Sequence, residues 1–277
     1  MFKALTILIF LLLSTMSTFS TQIKLTTWNI YMLPNYIGVS CDKRAELIAD
    51  YLLDNNSDIF VFQEAFDANA RAIIYSKLQS TYPYYIEPQK QKKFSLKINS
   101  GLWILSKYPI IESDFHRFRS CCGYDALAQK GILYVKISVD GHMIQVFNTH
   151  LNSGQDRQVI RDSQYREIKK FIDGYKNKKD MQIIAGDFNT NKSDKISYNK
   201  MLFCIGLSDY LFNELTYDAD NNDLNDEYLK DIIDYIFIKN TFKSIIETRK
   251  VNRPTKRWSD THKDLSDHYP VVLSLAF

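Results

Sequence analysis

Glycine and proline are sparse, nine and six in 277 residues, and nowhere do they gather with serine into a linker. With no internal repeat and no low-complexity tract either, nothing marks a domain boundary. Excess charge is also missing. The 35 lysines and arginines against 32 aspartates and glutamates leave +3, which is not the footprint of a dedicated nucleic-acid binder. Four cysteines and five histidines, with no closely spaced His/Cys pair, argue against zinc.

No long hydrophobic run reaches the roughly 20 residues of a spanning helix. The apolar stretch at residues 4–13 follows a lone Lys3 and precedes small and polar residues through Thr18 and Ser20, the layout of a secretory leader cleaved after Ser20. An uncleaved anchor is the competing reading, and the run is short for it. Residues 21–277 then form one domain, long enough for a deep core. Export would place Cys41, Cys121, Cys122 and Cys204 in an oxidising compartment, where they pair in one of three ways or stay as free thiols. A bond between the neighbours Cys121 and Cys122 would strain the backbone.

What is present is alternation. Strand-like segments run at 23–27, 58–62, 101–105, 132–139, 143–147, 181–185, 232–238 and 271–277, and helical stripes at 42–54, 67–78 and 156–171, with Asp42 and Asp67 placed to cap the first two. The third stripe runs through Ile160, Tyr165, Ile168 and Phe171 or Ile172. An Asp140-Gly141 turn joins two strands as a hairpin. Hairpins among helices predict a mixed sheet core flanked by helices over a purely parallel barrel. Charge runs at Lys90, Lys92, Lys93 and Lys97, at Arg253, Lys256 and Arg257, and the acidic run 218–231 read as solvated loops.

Six polar strings each sit at a strand boundary: Thr27-Trp28-Asn29, Gln63-Glu64, Asn148-Thr149-His150, Gly186-Asp187-Phe188-Asn189, Asp234-Tyr235 and Ser266-Asp267-His268. Each alone is an ordinary turn or strand end. Together they describe a hydrolytic metal site. If Glu64 and Asp267 face one another, their repulsion needs a cation between them, and acids and amides without thiolates suit Mg²⁺, which completes its shell with phosphate oxygens. His268, its tautomer fixed by Asp234, is suited to take a proton from water. His150 is placed to steady a phosphate or assist the leaving oxygen, Asp187 to orient the attacking water, and Asn29 and Asn189 to act as neutral donors or ligands. His116, His142 and His262 lack such company and read as surface residues.

In this order the strings resemble the endonuclease/exonuclease/phosphatase superfamily over nearly the whole mature chain. The resemblance implies an α/β, deoxyribonuclease-like four-layer sandwich, two mixed β-sheets packed face to face with helices outside. It also implies Mg²⁺, with Mn²⁺ or Co²⁺ able to stand in. By position, Glu64 resembles the metal carboxylate with Asn29 beside it and Asp267 as a second metal-side acid. Asp187 and Asn189 resemble the water- and phosphate-orienting pair, His268 the general base with Asp234 as partner, and His150 the other catalytic histidine.

Within the superfamily the strings at 29–34, 63–67, 122–131 and 266–270 resemble neutral sphingomyelinases. That implies a secreted monomer acting on phospholipid at a membrane surface and releasing ceramide and phosphocholine. Two departures stand out. The stretch 253–265, where haemolytic bacterial members carry a long aromatic hairpin, is short and charged with Trp258 as its one aromatic, against strong membrane lysis. The cysteine those enzymes carry near Asp156 is absent. The rivals are a secreted nuclease on the same fold, an inositol-phosphate phosphatase, for which basic residues near the last motif stop at Lys256 and Arg257, and a catalytically silent binding module.

Overall fold

Period-two burial builds the first layer. In the computed structural model, which describes residues 21–34, 37, 39–89, 97–177, 180–225, 228–239 and 246–277, strand β1 (Gln22–Met32) turns Ile23 and Leu25 to one side and Trp28, Ile30 and Met32 to the other. Helix α1 (Cys41–Asn55) covers that second side with Ala45, Ile48, Ala49 and Leu52, all fully buried. Truncating such a side chain as Ile48 to alanine costs about 2–5 kcal/mol. The proposed leader and Lys90, Lys92 and Lys93 lie outside the described residues.

The chain continues through β2 (Ile59–Ala65), α2 (Ala68–Leu78), β3 (Tyr84–Ile86), β4 (Trp103–Ser106), β5 (Ile110–Arg117), β6 (Gly131–Val139), β7 (His142–His150), α3 (Gln158–Gly174), β8 (Met181–Asp187) and α4 (Lys195–Ile205). It ends with β9 (Tyr217–Asp218), β10 (Lys230–Asp231), β11 (Asp234–Lys239), β12 (Ile246–Val251) and β13 (Val271–Ala276). One sheet has the order β12-β13-β1-β2-β4-β3 and the other β11-β8-β7-β6-β5, with β9 and β10 as a separate pair. Each large sheet is mixed, with one parallel pair: β1 with β2 across α1, and β7 with β8 across α3. Their inner faces meet through Ile23, Leu25, Ile59, Val61 and Ile104 on one side and Val135, Ile144, Val146, Ile183 and Ile236 on the other. With α1 and α2 outside one sheet and α3 and α4 outside the other, this is the expected four-layer sandwich.

Local signals mostly hold. Asp140 and Gly141 both have positive φ, 48° and 85°, in the two-residue turn that pairs Val139 with His142, and Asp67 caps α2 by accepting from the Ala70 amide at 2.8 Å. Asp42 does not cap. The first helix starts one residue earlier, its N-cap Ser40 is left-handed without a side-chain bond, and Asp42 lies in the first turn, where its charge faces the helix N-terminus. The third helix begins at Gln158 because Gly154 (φ 90°) and a 3-10 turn precede it, and Tyr165, Ile168 and Ile172 are its core face, with Ile160 and Phe171 half-buried.

The acidic run is not a solvated loop throughout: Asp218 and Asp231 are buried, paired with Arg253 at 3.1 Å and bonded to Ser193 respectively. Nor is His116 a plain surface residue; half-buried, it meets Glu167 at 2.8 Å. All four cysteines are free. Among the described residues no helix is long and apolar enough to cross a membrane.

Candidate active site

Parallel pairing places the carboxyl ends of β1 and β2 together, and likewise those of β7 and β8, so Asn29, Glu64, His150 and Asp187 come to one rim. Asp234 opens β11 directly opposite Asp187. His268 stands just before β13, whose pairing with β1 returns it to that rim. A cavity of about 270 Å³ there is lined by Glu64, His150, Asp187, Asn189, Asp267 and His268, with Tyr217 and Ile233 among its walls.

Backbone irregularities aim the side chains. Strict alternation would send Glu64 to the helix side with Phe60 and Phe62, but its φ of 52° breaks the period and turns it into the cavity. Asn189 has φ 47°, and Tyr31, just after Asn29, has φ 49° beside a register shift between β1 and β2. Left-handed non-glycine residues cost about 1–3 kcal/mol each, and such strain concentrates at functional sites. At Gly186 (φ 143°) a Cβ would lie 2.0 Å from the Thr149 carbonyl oxygen, so only glycine lets β8 deliver Asp187 so close to β7.

Asp187 is the hub. Its Oδ2 accepts from Asn29 Nδ2 at 3.2 Å and lies 3.3 Å from His150 Nε2 and 3.7 Å from His268 Nε2, while its Oδ1 accepts from the Asn189 amide at 2.9 Å. Asn189 Nδ2 donates to the Leu151 carbonyl at 3.1 Å. His268 Nδ1 meets Asp234 Oδ2 at 2.9 Å, and Ser266 Oγ ties the Asp267 turn to β1 by donating to the Asn29 carbonyl at 2.7 Å. The backbone carbonyl of His268 accepts from Trp28 Nε1 at 2.9 Å. Below the cavity floor, Gln63 Nε2 donates to Asn148 Oδ1 at 2.8 Å and locks one sheet to the other.

Electrostatics divides the site. Burial, then the neighbouring Asp267, pushes the Glu64 carboxyl up to about 7; Glu64 Oε2 is buried with no hydrogen-bond partner. Burial also raises Asp267. His268 is opposed by burial, but Asp234, Asp267 and Asp187 outweigh it and hold the ring well above the usual imidazole range. For His150, burial and then the Lys130 ammonium push it down to about 3.

Lys130 lies inside the string at 122–131, where the linear sequence gives it no role. It is buried, donating to His150 Nε2 and to the Leu151 carbonyl at 2.8 Å each, and its charge is balanced by Asp125 at 2.6 Å. Asp125 in turn accepts from Ser153, whose residue lines the cavity. The other residues missed are Asn222 and Asn225, which clamp the last motif by donating to the Ser266 and Asp267 carbonyls at 2.8 and 3.1 Å. A lysine five residues after an aspartate inside an apolar string was the available signal for the first pair; for the asparagines there was none. The segment before the last motif folds down on itself, with Trp258 buried, stacked on His262 at 4.8 Å and bonded to the Asp264 carbonyl at 2.8 Å.

An oxygen donor set with an orphaned buried carboxylate atom and two acids lining one cavity fits a hard divalent cation. Asp187, Asp234 and His268 also bring ligand atoms within 4.8 Å of one another; there the His268–Asp234 hydrogen bond takes up Nδ1 and Oδ2, and Asp234 Oδ1 is buried without a partner, as Glu64 Oε2 is.

Comparison with known proteins agrees with this geometry. The Endonuclease/Exonuclease/phosphatase family matches residues 26–268. A sphingomyelinase C from Leptospira interrogans is 32% identical, aligned with 90% of this chain and 51% of its own length, so the chain spans about half of that relative. A phospholipase C from Staphylococcus aureus is 31% identical over 91% of this chain and 86% of its own. A crystal structure of beta toxin from Staphylococcus aureus with bound magnesium ions superposes with a TM-score of 0.80 at 28% identity, covering 91% of this chain and 99% of that one. The chain belongs to the Endonuclease/Exonuclease/phosphatase family, and within it is similar to proteins named sphingomyelinase C and phospholipase C.

Proposed function

We propose that this chain is a secreted, Mg²⁺-dependent phosphodiesterase that hydrolyses sphingomyelin to ceramide and phosphocholine, acting as a monomer at a membrane surface once residues 1–20 are removed as a leader. The single observation that carries the chemistry is that Glu64, with its unpartnered Oε2, and Asp267 line the same cavity as His268, whose ring is bonded to Asp234. Relatives named sphingomyelinase C and the magnesium-bound beta toxin support the substrate and the metal.

Glu64, Asp267 and Asn29 would hold the ion, with Mn²⁺ or Co²⁺ as substitutes; when bound it supplies Lewis-acid polarisation of the phosphoryl oxygen. With a cation held by Asp267, part of the field that raises His268 would be offset, and the ring would accept a proton from the attacking water. Asp234 fixes its tautomer. Asp187 and Asn189 orient that water and the phosphate. His150, pushed towards the neutral ring beside Lys130, faces the leaving oxygen. The folded-down, charged segment before the last motif goes with weak membrane lysis.

The test is phosphocholine release from sphingomyelin and from phosphatidylcholine, measured beside DNA nicking, with and without Mg²⁺. Metal-dependent release from sphingomyelin with no nicking is expected. Nicking that falls steeply with salt would instead identify a nuclease.

A further inference from the structure

Three buried arginines on three different helices each donate to backbone carbonyls close to a site residue. Arg44 on α1 gives Nη1 to the carbonyls of Ile30 and Leu265 at 3.2 and 2.9 Å, Nη2 to that of Tyr31, and Nε to that of Val39 at 2.9 Å. It thereby joins the residue after Asn29 to the turn that carries Asp267. Arg71 on α2 gives Nη1 to the carbonyls of Ala65 and Phe66, the two residues after Glu64, at 2.6 and 3.0 Å. Arg161 on α3 gives Nη1 to those of Asn152 and Gly154, beyond His150, at 3.1 and 2.6 Å.

Several of these carbonyls lie where the backbone leaves strand geometry, after the left-handed Glu64 and at Tyr31 by the β1–β2 register shift, so they lack ordinary ladder partners. A guanidinium presents five N–H donors in a fixed fork and holds two carbonyls at once, which an ammonium on a flexible stem does less well. Burying that charge is expensive, and among the described residues only Arg71 of the three has an ion-pair partner, Glu87 at 2.8 Å. An apolar side chain would fill the same space at lower cost if packing were the whole requirement.

We propose that Arg44, Arg71 and Arg161 are positioning residues, Arg44 setting the Asn29 and Asp267 segments, Arg71 the Glu64 segment and Arg161 the His150 segment. Two helices therefore hold the segments assigned to the metal and a third holds the His150 segment. The inference rests on the assignment of Glu64, Asn29 and Asp267 to the metal.

The test uses R44K, R71K and R161K in the full chain, which keep the charge and lose the fork. Fold is checked by circular dichroism and by Tm in chelator. Metal affinity is read as the Mg²⁺ concentration giving half of the Tm rise, and kcat and KM from phosphocholine release. R44K and R71K should raise the Mg²⁺ midpoint about tenfold, as loss of a group supporting a metal ligand does, with KM within about twofold of the parent. R161K should leave the Mg²⁺ midpoint in place and lower kcat about tenfold. Equal shifts in all three, no shift in any, or kcat losses that only follow loss of folded protein would overturn the proposal. If a lysine variant does not fold, the glutamine variant at that position is read in the same way; failure of both makes the arginine a residue of the fold and counts against the proposal there. The Mg²⁺ readout needs no substrate. A parent chain with a Mg²⁺-responsive Tm and no action on sphingomyelin would sink the substrate assignment alone, and one whose Tm ignores Mg²⁺ would sink the metal assignment.

Discussion

His150 and His268 share a cavity and a neighbour, Asp187, at 3.3 and 3.7 Å from their Nε2 atoms, yet they are driven in opposite directions. Both are buried, which disfavours the charged ring in each case. The remaining difference is who stands beside them. An ammonium donates to His150, whereas three carboxylates act on His268. His150 is pushed towards the neutral ring and His268 towards the charged one, so two copies of the same residue are suited to different tasks within one pocket.

The strongest way to break the comparison is to delete the charged member. His268→Ala should lower kcat by about 10²–10⁴-fold, the range of a lost acid–base group, with the circular dichroism spectrum unchanged; turnover near the parent value would remove His268 from its role. Next in size, Glu64→Gln should raise the Mg²⁺ needed for half-maximal activity about 10–100-fold, read from a metal titration of phosphocholine release. An unchanged titration would move the ion elsewhere.

Lys130→Met sharpens the contrast from the other side. It removes the cation that, after burial, does most to lower His150, so the His150 ring should titrate at higher pH by NMR, with kcat lower about tenfold or more. A ring that still titrates near 3 would mean that burial alone sets it.

The smallest effects are on stability against pH in chelator. The folded pKa of His150 lies below its unfolded value, so its contribution is complete above about 6.5 and is lost as pH falls towards about 3. The folded pKa of His268 is raised, so its contribution is complete below about 6.5 and is lost as pH rises through the folded value. Each proton bears about 1.4 kcal/mol per pH unit. Denaturation midpoints of His150→Gln should therefore flatten on the acid side and those of His268→Asn on the alkaline side; the reverse pattern would invert the assignment.

Much of the layout was legible because polar strings closing apolar strands are rare enough to count together. The strings at Asn29, Glu64, His150, Asp187, Asp234 and His268 do converge on one cavity. The edge strands β5 and β12 were not legible, since their exposed faces dilute the apolar period to Ile-Ile-Glu-Ser-Asp-Phe-His-Arg and Ile-Glu-Thr-Arg-Lys-Val. Helix α4 has Tyr198, Met201, Leu202 and Ile205 on its buried face, but the exposed Phe203 and Ile196 blur the stripe. Lys130 and Arg44 look like solvated charges in a linear string, because burial is decided by segments as far away as Leu151 and Leu265.

By itself the sequence determined which chemical groups end each strand and hence that acids, amides and imidazoles would gather at one rim, for strand period and turn chemistry act over a few neighbouring residues. Only the tertiary structure decided which imidazole is pushed towards the charged form and which carboxylate oxygens, Glu64 Oε2 and Asp234 Oδ1 among them, are buried without a partner. Those depend on Coulomb interactions over a few ångströms in a poorly solvated pocket, and the charges that matter come from residues 20 and 34 positions apart in the chain in the pairs His150–Lys130 and His268–Asp234.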